Sequence, residues 1–128
     1  MNKIRVLLVD DEPDLLLVMG KTIESWGYKL IQATNGMEAI AAVKDNSADI
    51  IVLDYLMPGL DGIETLKEIR KINAKIPVIM FSAHQGGLAI KGIEKLGINV
   101  FVPKSSAEST LRLAISMLED KVDKKKLS

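Results

Sequence analysis

The sequence has no cysteine, a single histidine and no net charge, and these shortages exclude several kinds of protein. Without cysteine there is no disulfide framework and no thiolate metal site. Lys+Arg 17 balances Asp+Glu 17, so the surface as a whole has no excess positive charge to attract nucleic acid or an anionic membrane. No apolar run approaches the length of a transmembrane helix, and Asp10 interrupts the first one. We therefore expect a cytoplasmic protein that contacts neither nucleic acid nor membrane through this domain.

The chain has the length and composition of one packed domain. It has 128 residues, of which 48% are hydrophobic, and it contains no internal repeat and no linker between two domains. We expect a single domain over residues 1–128, in which the charged stretch of residues 121–128 is a polar tail or the start of a linker.

Short aliphatic runs alternate with amphipathic segments along the whole chain. The runs that predict strands are Ile4–Val9, Tyr28–Ala33, Ile50–Leu53, Val78–Phe81 and Ile98–Val102. The predicted helices begin at Pro13 after an acidic cap, at a capping box Asn35–Glu38, at Asp61, near Leu88 and at a capping box Ser105–Glu108. Three glycines make the helix near Leu88 a weak one. This alternation predicts an α/β fold in which helices cover both faces of a parallel sheet.

Charged and hydroxyl side chains stand where the predicted strands end. Asp10 and Asp11 follow the first strand, Asp54 the third, Ser82 the fourth and Lys104 the fifth. Open parallel sheets bind ligands beyond the carboxyl ends of their strands, so we expect these side chains to lie together. Three converging carboxylates would repel one another unless a divalent cation lay between them. An all-oxygen set of ligands suits Mg²⁺ better than zinc or copper.

Asp54 ends the most hydrophobic strand, where a carboxylate is costly unless the site uses it. A carboxylate can form an acyl phosphate, and Lys104 and Ser82 could hold the phosphoryl oxygens. Each residue alone has a plainer interpretation: Asp10 and Asp11 as a charged helix cap, Ser82 as a strand end, Lys104 as a solvated charge. Their convergence favours an aspartate that accepts a phosphoryl group. We expect Lys104, as a single rim charge, to contribute little to folding stability.

Five motifs occur together over nearly the whole chain: Leu8-Val9-Asp10-Asp11-Glu12, Asn35-Gly36-Met37-Glu38-Ala39, the run Leu53–Gly62, Phe81-Ser82-Ala83 and Pro103-Lys104. Together they resemble the receiver domain of bacterial response regulators in two-component systems. The resemblance implies a flavodoxin-like, doubly wound five-stranded sheet in the order 2-1-3-4-5. It also implies a regulatory domain that catalyses only its own phosphoryl transfer and dephosphorylation.

The resemblance assigns roles to single residues. Asp54 would be the phosphoacceptor, and Asp10 and Asp11 would bind Mg²⁺ together with Asp54 and the backbone carbonyl of Leu56. Ser82 would be the switch hydroxyl, Lys104 the phosphate partner and Phe101 the switch aromatic. The donor would be a sensor histidine kinase or a phosphotransfer protein. The phosphorylated domain would act on a downstream protein or a fused output domain. A phosphorylation-dependent homodimer is a further option.

The sequence departs from the family pattern near the predicted site. Ser105 follows Lys104 where most relatives have proline, often after a cis peptide bond, and Phe101 replaces the common tyrosine. Leu56 and His84 occupy variable positions that tune phosphoryl lifetime in relatives. The helix that begins near Leu88 lies between Ser82 and Phe101, and we expect its residues 86–95 to gain protection on phosphorylation.

Two other functions fit the same fold. A pseudo-receiver would bind proteins without taking phosphate, but the presence of Asp11, Asp54 and Lys104 argues against it. A flavodoxin-like cofactor carrier would need a Ser-, Thr- or Gly-rich phosphate loop after the first strand. Asp10, Asp11 and Glu12 stand there instead and would repel a cofactor phosphate.

Overall fold

Five strands form one parallel sheet in the computed structural model, which describes residues 3–83 and 93–122. They are β1 (Arg5–Val9), β2 (Lys29–Ala33), β3 (Ile50–Leu53), β4 (Val78–Ser82) and β5 (Val100–Pro103), in the order β2-β1-β3-β4-β5. Every residue of β3 is buried, because this apolar strand lies at the centre and is covered on both faces. The predicted sheet and its order are confirmed.

Four α-helices in the described part of the chain cover the sheet: α1 (Pro13–Ser25), α2 (Gly36–Lys44), α3 (Gly62–Ile72) and α4 (Glu108–Leu118). Successive strand residues point to opposite faces. Leu7 and Ile51 therefore pack with α2 and α3, while Leu8 and Val52 pack with α1 and α4. The predicted helices on both faces are confirmed.

The segment between β4 and β5 is described only in its second half. The predicted helix begins near Leu88, and its residues up to 92 lie outside the described residues. Most of residues 86–95, over which we expect a gain of protection, also lie outside them. Ile93–Leu96 form a short 3₁₀ helix. Within residues 3–83 and 93–122, no helix combines the length and the apolar character that a bilayer crossing requires.

The helix starts agree only partly with the sequence patterns. Asp61 and Glu64 form the capping box of α3, with Glu64 N donating to Asp61 Oδ1 at 2.8 Å and Asp61 N to Glu64 Oε1 at 3.1 Å. At α2, Asn35 accepts from the N–H of Glu38 at 2.9 Å, but Glu38 accepts from Thr34 rather than from Asn35. That box is therefore incomplete.

The other two predicted caps are wrong. Glu12 precedes α1 but makes no capping hydrogen bond through its side chain. The residue that precedes α4 is Ala107, which has no side chain that could cap the helix. The N–H of Ser106 donates to the carbonyl of Pro103 at 3.0 Å, so the serines lie in a turn before the helix and not at its first position.

Candidate functional site

Parallel pairing brings Asp10 and Asp54 to adjacent strand ends. Val9 of β1 is in register with Leu53 of β3, and the N–H of Asp54 donates to the carbonyl of Val9 at 3.0 Å. The two aspartates directly follow these paired residues. Both are buried, with Asp10 0% and Asp54 4% exposed. Two carboxylates therefore lie next to each other where the two central strands end.

The backbone of Asp54 is fixed by the start of α3. The N–H of Gly62 donates to the carbonyl of Tyr55 at 2.7 Å. A Cβ at position 62 would overlap the carbonyl oxygen of Asp54 and lie 2.8 Å from Cα of Tyr55. Backbone atoms cannot turn aside as the end of a long side chain can, so only glycine permits this close approach. Gly62 thereby holds the strand end that carries the predicted phosphoacceptor.

Lys104 comes from the turn after β5 and extends towards three carboxylates. Its N–H donates to the carbonyl of Ser82 at 2.8 Å, which continues the pairing of β4 and β5 by one residue. Its Nζ lies 2.7 Å from Asp10 Oδ2, 3.4 Å from Asp54 Oδ1 and 3.8 Å from Glu12 Oε1. The side chain of Lys104 is only 13% exposed. The expectation of a rim charge is therefore wrong: Lys104 is the cation that neutralises two buried anions.

Burial and charge change the acidity of both partners. Burial raises the pKa of Asp54 to about 6, and the charge of Asp10 acts in the same direction. The charge of Lys104, its contact with Asp54 and the N–H of Leu56 offset part of that rise. Burial lowers the pKa of Lys104, but contacts with Asp10, Asp54 and Glu12 outweigh it, so this pKa is raised overall. Asp54 is therefore harder to ionise than an exposed aspartate, while Lys104 is held firmly in its charged form.

Three acids form a set that fits a divalent cation. Asp10, Asp11 and Asp54 each offer a carboxylate oxygen, and these oxygens lie within 4.8 Å of one another. Asp10 Oδ2 is buried and lies 2.7 Å from Nζ of Lys104, in an ion pair that is not a well-aligned hydrogen bond. One ammonium beside several carboxylates leaves negative charge that Mg²⁺ would balance. The N–H of Leu56 faces the Asp54 carboxylate, while the role of its carbonyl as a ligand stays a prediction.

The remaining predicted residues lie near this set or apart from it. Ser82 is 4% exposed and ends β4 next to Lys104. Phe101 is 45% exposed on β5, so it is not part of the core, and its switch role stays a prediction. His84 lies outside the described residues. The Lys104–Ser105 bond is trans, as are all the described peptide bonds.

Glu12 is the member of the site whose contact the sequence did not predict. Its spacing before Pro13 indicates a helix cap, but its carboxylate lies near Lys104. The signal that could have shown this is its position directly after Asp10 and Asp11, on the same strand end as the other acids.

The chain matches the family model of the response regulator receiver domain over residues 6–116. This match covers most of the 128 residues. The chain belongs to that family. Receiver domains of two-component systems are signalling and regulatory domains, so the predicted class is confirmed at that level.

Several of the curated relatives that match this chain are longer proteins. It is 39% identical over 83 residues to the alkaline phosphatase synthesis transcriptional regulatory protein PhoP of Bacillus subtilis, covering 65% of this chain and 34% of that protein. It is 35% identical over 80 residues to sporulation initiation phosphotransferase F of Bacillus subtilis, covering 62% of this chain and 64% of that protein. The chain spans between 19% and 35% of the length of the first curated relatives that it matches.

Solved structures show the same fold. The Francisella response regulator 1452 receiver domain is 32% identical, with a TM-score of 0.80, covering 91% of this chain and 96% of that one. Response regulator TrrA of Thermotoga maritima, in complex with Mg²⁺ and BeF, is 29% identical with a TM-score of 0.82, covering 90% of this chain and 98% of that one. The flavodoxin-like architecture of this receiver domain is thereby confirmed.

Proposed function

We propose that this receiver domain accepts a phosphoryl group on Asp54, with Mg²⁺ bound, from a sensor histidine kinase or a phosphotransfer protein. The observation that carries the proposal is the position of one buried carboxylate, that of Asp54, between two other acids and a lysine. Asp54 shares the metal-binding set with Asp10 and Asp11, and its Oδ1 lies 3.4 Å from Nζ of Lys104. The resemblance of this chain to TrrA, which was solved with Mg²⁺ and BeF, supports the same chemistry.

Asp54 would act as the nucleophile. One of its carboxylate oxygens forms a bond to phosphorus, while the bond from phosphorus to the donor breaks and the donor keeps that electron pair. The reaction needs the ionised form, and a pKa of about 6 leaves most of Asp54 ionised at neutral pH. Because the carboxylate is 4% exposed, bulk water does not surround it. Burial would also limit attack by solvent on the acyl phosphate.

Lys104 and Ser82 would hold the transferred group. The ammonium of Lys104 can turn from Asp10 and Asp54 towards phosphoryl oxygens, and the hydroxyl of Ser82 can donate a hydrogen bond. Mg²⁺, when held by Asp10, Asp11, Asp54 and the Leu56 carbonyl, would supply positive charge for the phosphoryl oxygens. Electrostatic stabilisation of this kind is effective because the site is largely excluded from water.

The outward side of β5 and α4 would carry the signal to a downstream protein, a fused output domain or a second copy. Phe101 on β5 and, on α4, Leu113 and Met117 are exposed, by 45%, 61% and 61%. Exposed large apolar side chains at the i and i+4 positions of a helix are suited to pack against another protein. We place the reaction in the cytoplasm. Val122 is buried in the core, so the part of residues 121–128 that we treat as a tail or linker is residues 123–128.

Intact-mass spectrometry tests the proposal directly. The protein is incubated with acetyl phosphate and Mg²⁺, with and without EDTA, as wild type, Asp54→Asn and Asp45→Asn. Asp45 is an exposed aspartate at the end of α2 and serves as the control. We expect one phosphoryl adduct in wild type and Asp45→Asn, its loss with EDTA, and none in Asp54→Asn. An adduct that persists in Asp54→Asn would move the acceptor elsewhere, and no adduct in wild type would indicate a pseudo-receiver.

A further inference from the structure

Glu12 occupies the start of α1 without serving as its cap. Its carbonyl accepts from the N–H of Leu16 at 3.1 Å and its N–H donates to Asp10 Oδ1 at 3.0 Å, so its backbone is well fixed. Its side chain makes no capping hydrogen bond and is 65% exposed. Its Oε1 instead lies 3.8 Å from Nζ of Lys104. Lys104 therefore has an exposed carboxylate, that of Glu12, near it in addition to the two buried ones.

The three anions around Lys104 differ in what else they can bind. Asp10 and Asp54 belong to the group of oxygens that fits a divalent cation, but Glu12 does not. A cation held by that group would be a second positive partner for Asp10 and Asp54, and it would repel the ammonium of Lys104. Glu12 is then the one described carboxylate near Lys104 with no other cation. It would draw the ammonium outwards, away from Asp54.

We infer that Glu12 is a positioning residue that competes with a phosphoryl group on Asp54 for Lys104. This inference rests on the proposed function, because the competition matters only when Asp54 carries such a group. With Glu12 ionised, the ammonium of Lys104 is attracted to Glu12 as well as to a phosphoryl oxygen, and the phosphoryl group is retained less tightly. Because Glu12 is largely exposed, the effect is modest, on the order of two- to fivefold in affinity.

Equilibrium binding of beryllofluoride, which stands in for the phosphoryl group, tests the competition without measuring activity. Wild type, Glu12→Gln and Asp14→Asn are titrated by calorimetry with beryllofluoride at saturating Mg²⁺, and separately with Mg²⁺ alone. Asp14 is an exposed acid in the first turn of α1 with no ion pair recorded in the described structure, so its variant removes the same charge without the contact. We expect Glu12→Gln to bind beryllofluoride about two- to fivefold more tightly than Asp14→Asn, with equal affinity for Mg²⁺.

Nitrogen-15 NMR of the Lys104 ammonium gives a readout that a general charge effect would not move. In the Mg²⁺-loaded protein, the Nζ shift should differ between Glu12→Gln and Asp14→Asn, and it should coincide once beryllofluoride is bound. Equal shifts without beryllofluoride, equal or weaker beryllofluoride affinity in Glu12→Gln, or a selective loss of Mg²⁺ affinity would each overturn the inference. Failure of wild type to bind beryllofluoride at all would overturn the proposed function as well, which separates the two.

Discussion

Replacing Asp54 by asparagine should stabilise the metal-free protein at neutral pH. Asp54 is nearly isosteric with asparagine, so the substitution removes a buried charge and little volume. Its folded-state pKa is raised from 3.8 to about 6, so the folded protein binds this proton more tightly than the unfolded chain does. The contribution of Asp54 to stability is therefore complete below pH 3.8 and is lost as pH rises through 6. Above that, the ionised group costs about 3 kcal/mol, and we expect Asp54→Asn to regain about 1–3 kcal/mol.

Urea unfolding in EDTA at pH 4 and pH 7.5 measures this difference. At pH 4 the variant should be close to wild type, because Asp54 is mainly protonated in the folded state. At pH 7.5 it should be more stable, and saturating Mg²⁺ should reverse the order by stabilising wild type more. Asp49→Asn is the matched control: Asp49 is also buried, but it pairs with Arg5 through contacts of 2.8, 3.0 and 3.1 Å. That variant should lose about 1–3 kcal/mol at pH 7.5.

The reasoning fails if Asp54→Asn is less stable than wild type at pH 7.5 in EDTA. That result would mean that the contact with Lys104 outweighs the cost of burial and of the neighbouring Asp10. A gain of equal size at pH 4 and pH 7.5 would also refute it, because it would trace the effect to packing and not to ionisation.

Two further substitutions test the structural roles of the site. Lys104→Met should lose about 2 kcal/mol or more of unfolding free energy in EDTA, because two buried carboxylates lose their cation. In thermal melts, Mg²⁺ should restore part of the lost stability. A stability within a few tenths of a kcal/mol of wild type would show that the lysine is a solvated charge after all. Gly62→Ala should cost about 1–3 kcal/mol by overlap with the backbone of Asp54, and it should slow phosphorylation. Gly59→Ala is its comparison in the same unfolding assay, since position 59 has a φ of +79° but open space around it, and its cost should come from strain alone. An equal rate of phosphorylation in Gly62→Ala and wild type would contradict a positioning role.

The sheet could be predicted because its signal is strong and local. The aliphatic run Ile50–Leu53 is too short for a helix and is bounded by polar residues, so its burial at the centre of the sheet followed from composition alone. Strand order came from the resemblance and not from periodicity. The boundaries of the outer strands moved by up to two residues, for example from Ile98 to Val100 at the start of β5, because hydrogen bonding to the neighbouring strand decides where a strand begins.

The capping boxes show what spacing cannot decide. Asp61 and Asn35 occupy similar positions before an acidic residue, yet only Asp61 and Glu64 bond reciprocally. The Glu38 carboxylate accepts from the N–H of Thr34 and not from that of Asn35. A carboxylate can accept from either of two neighbouring N–H groups, and the local backbone conformation decides which of them is nearer. Sequence patterns therefore located the helix starts better than they located the contacts there.

The burial of Lys104 was beyond sequence reasoning for a physical reason. A lysine after a strand is most often solvated, and its depth depends on how the turn after β5 packs against residues from β1 and β3. Those contacts join residues about 50 and 90 positions apart along the chain, so no local pattern records them. The same applies to Glu12, whose partner is equally remote in sequence.

The strand that contributes most to burial is also the one that makes Asp54 chemically unusual. Leu53 is completely buried, and Asp54 follows it into the same desolvated region. Desolvation penalises the ionised carboxylate, which raises its pKa and lowers the stability of the folded protein at neutral pH. It also strengthens every charge interaction within the site. A carboxylate kept only for folding would be better placed like Asp49, against an arginine. A bound cation and a phosphoryl group would offset the free-energy cost of burying this charge, which would explain the position of Asp54.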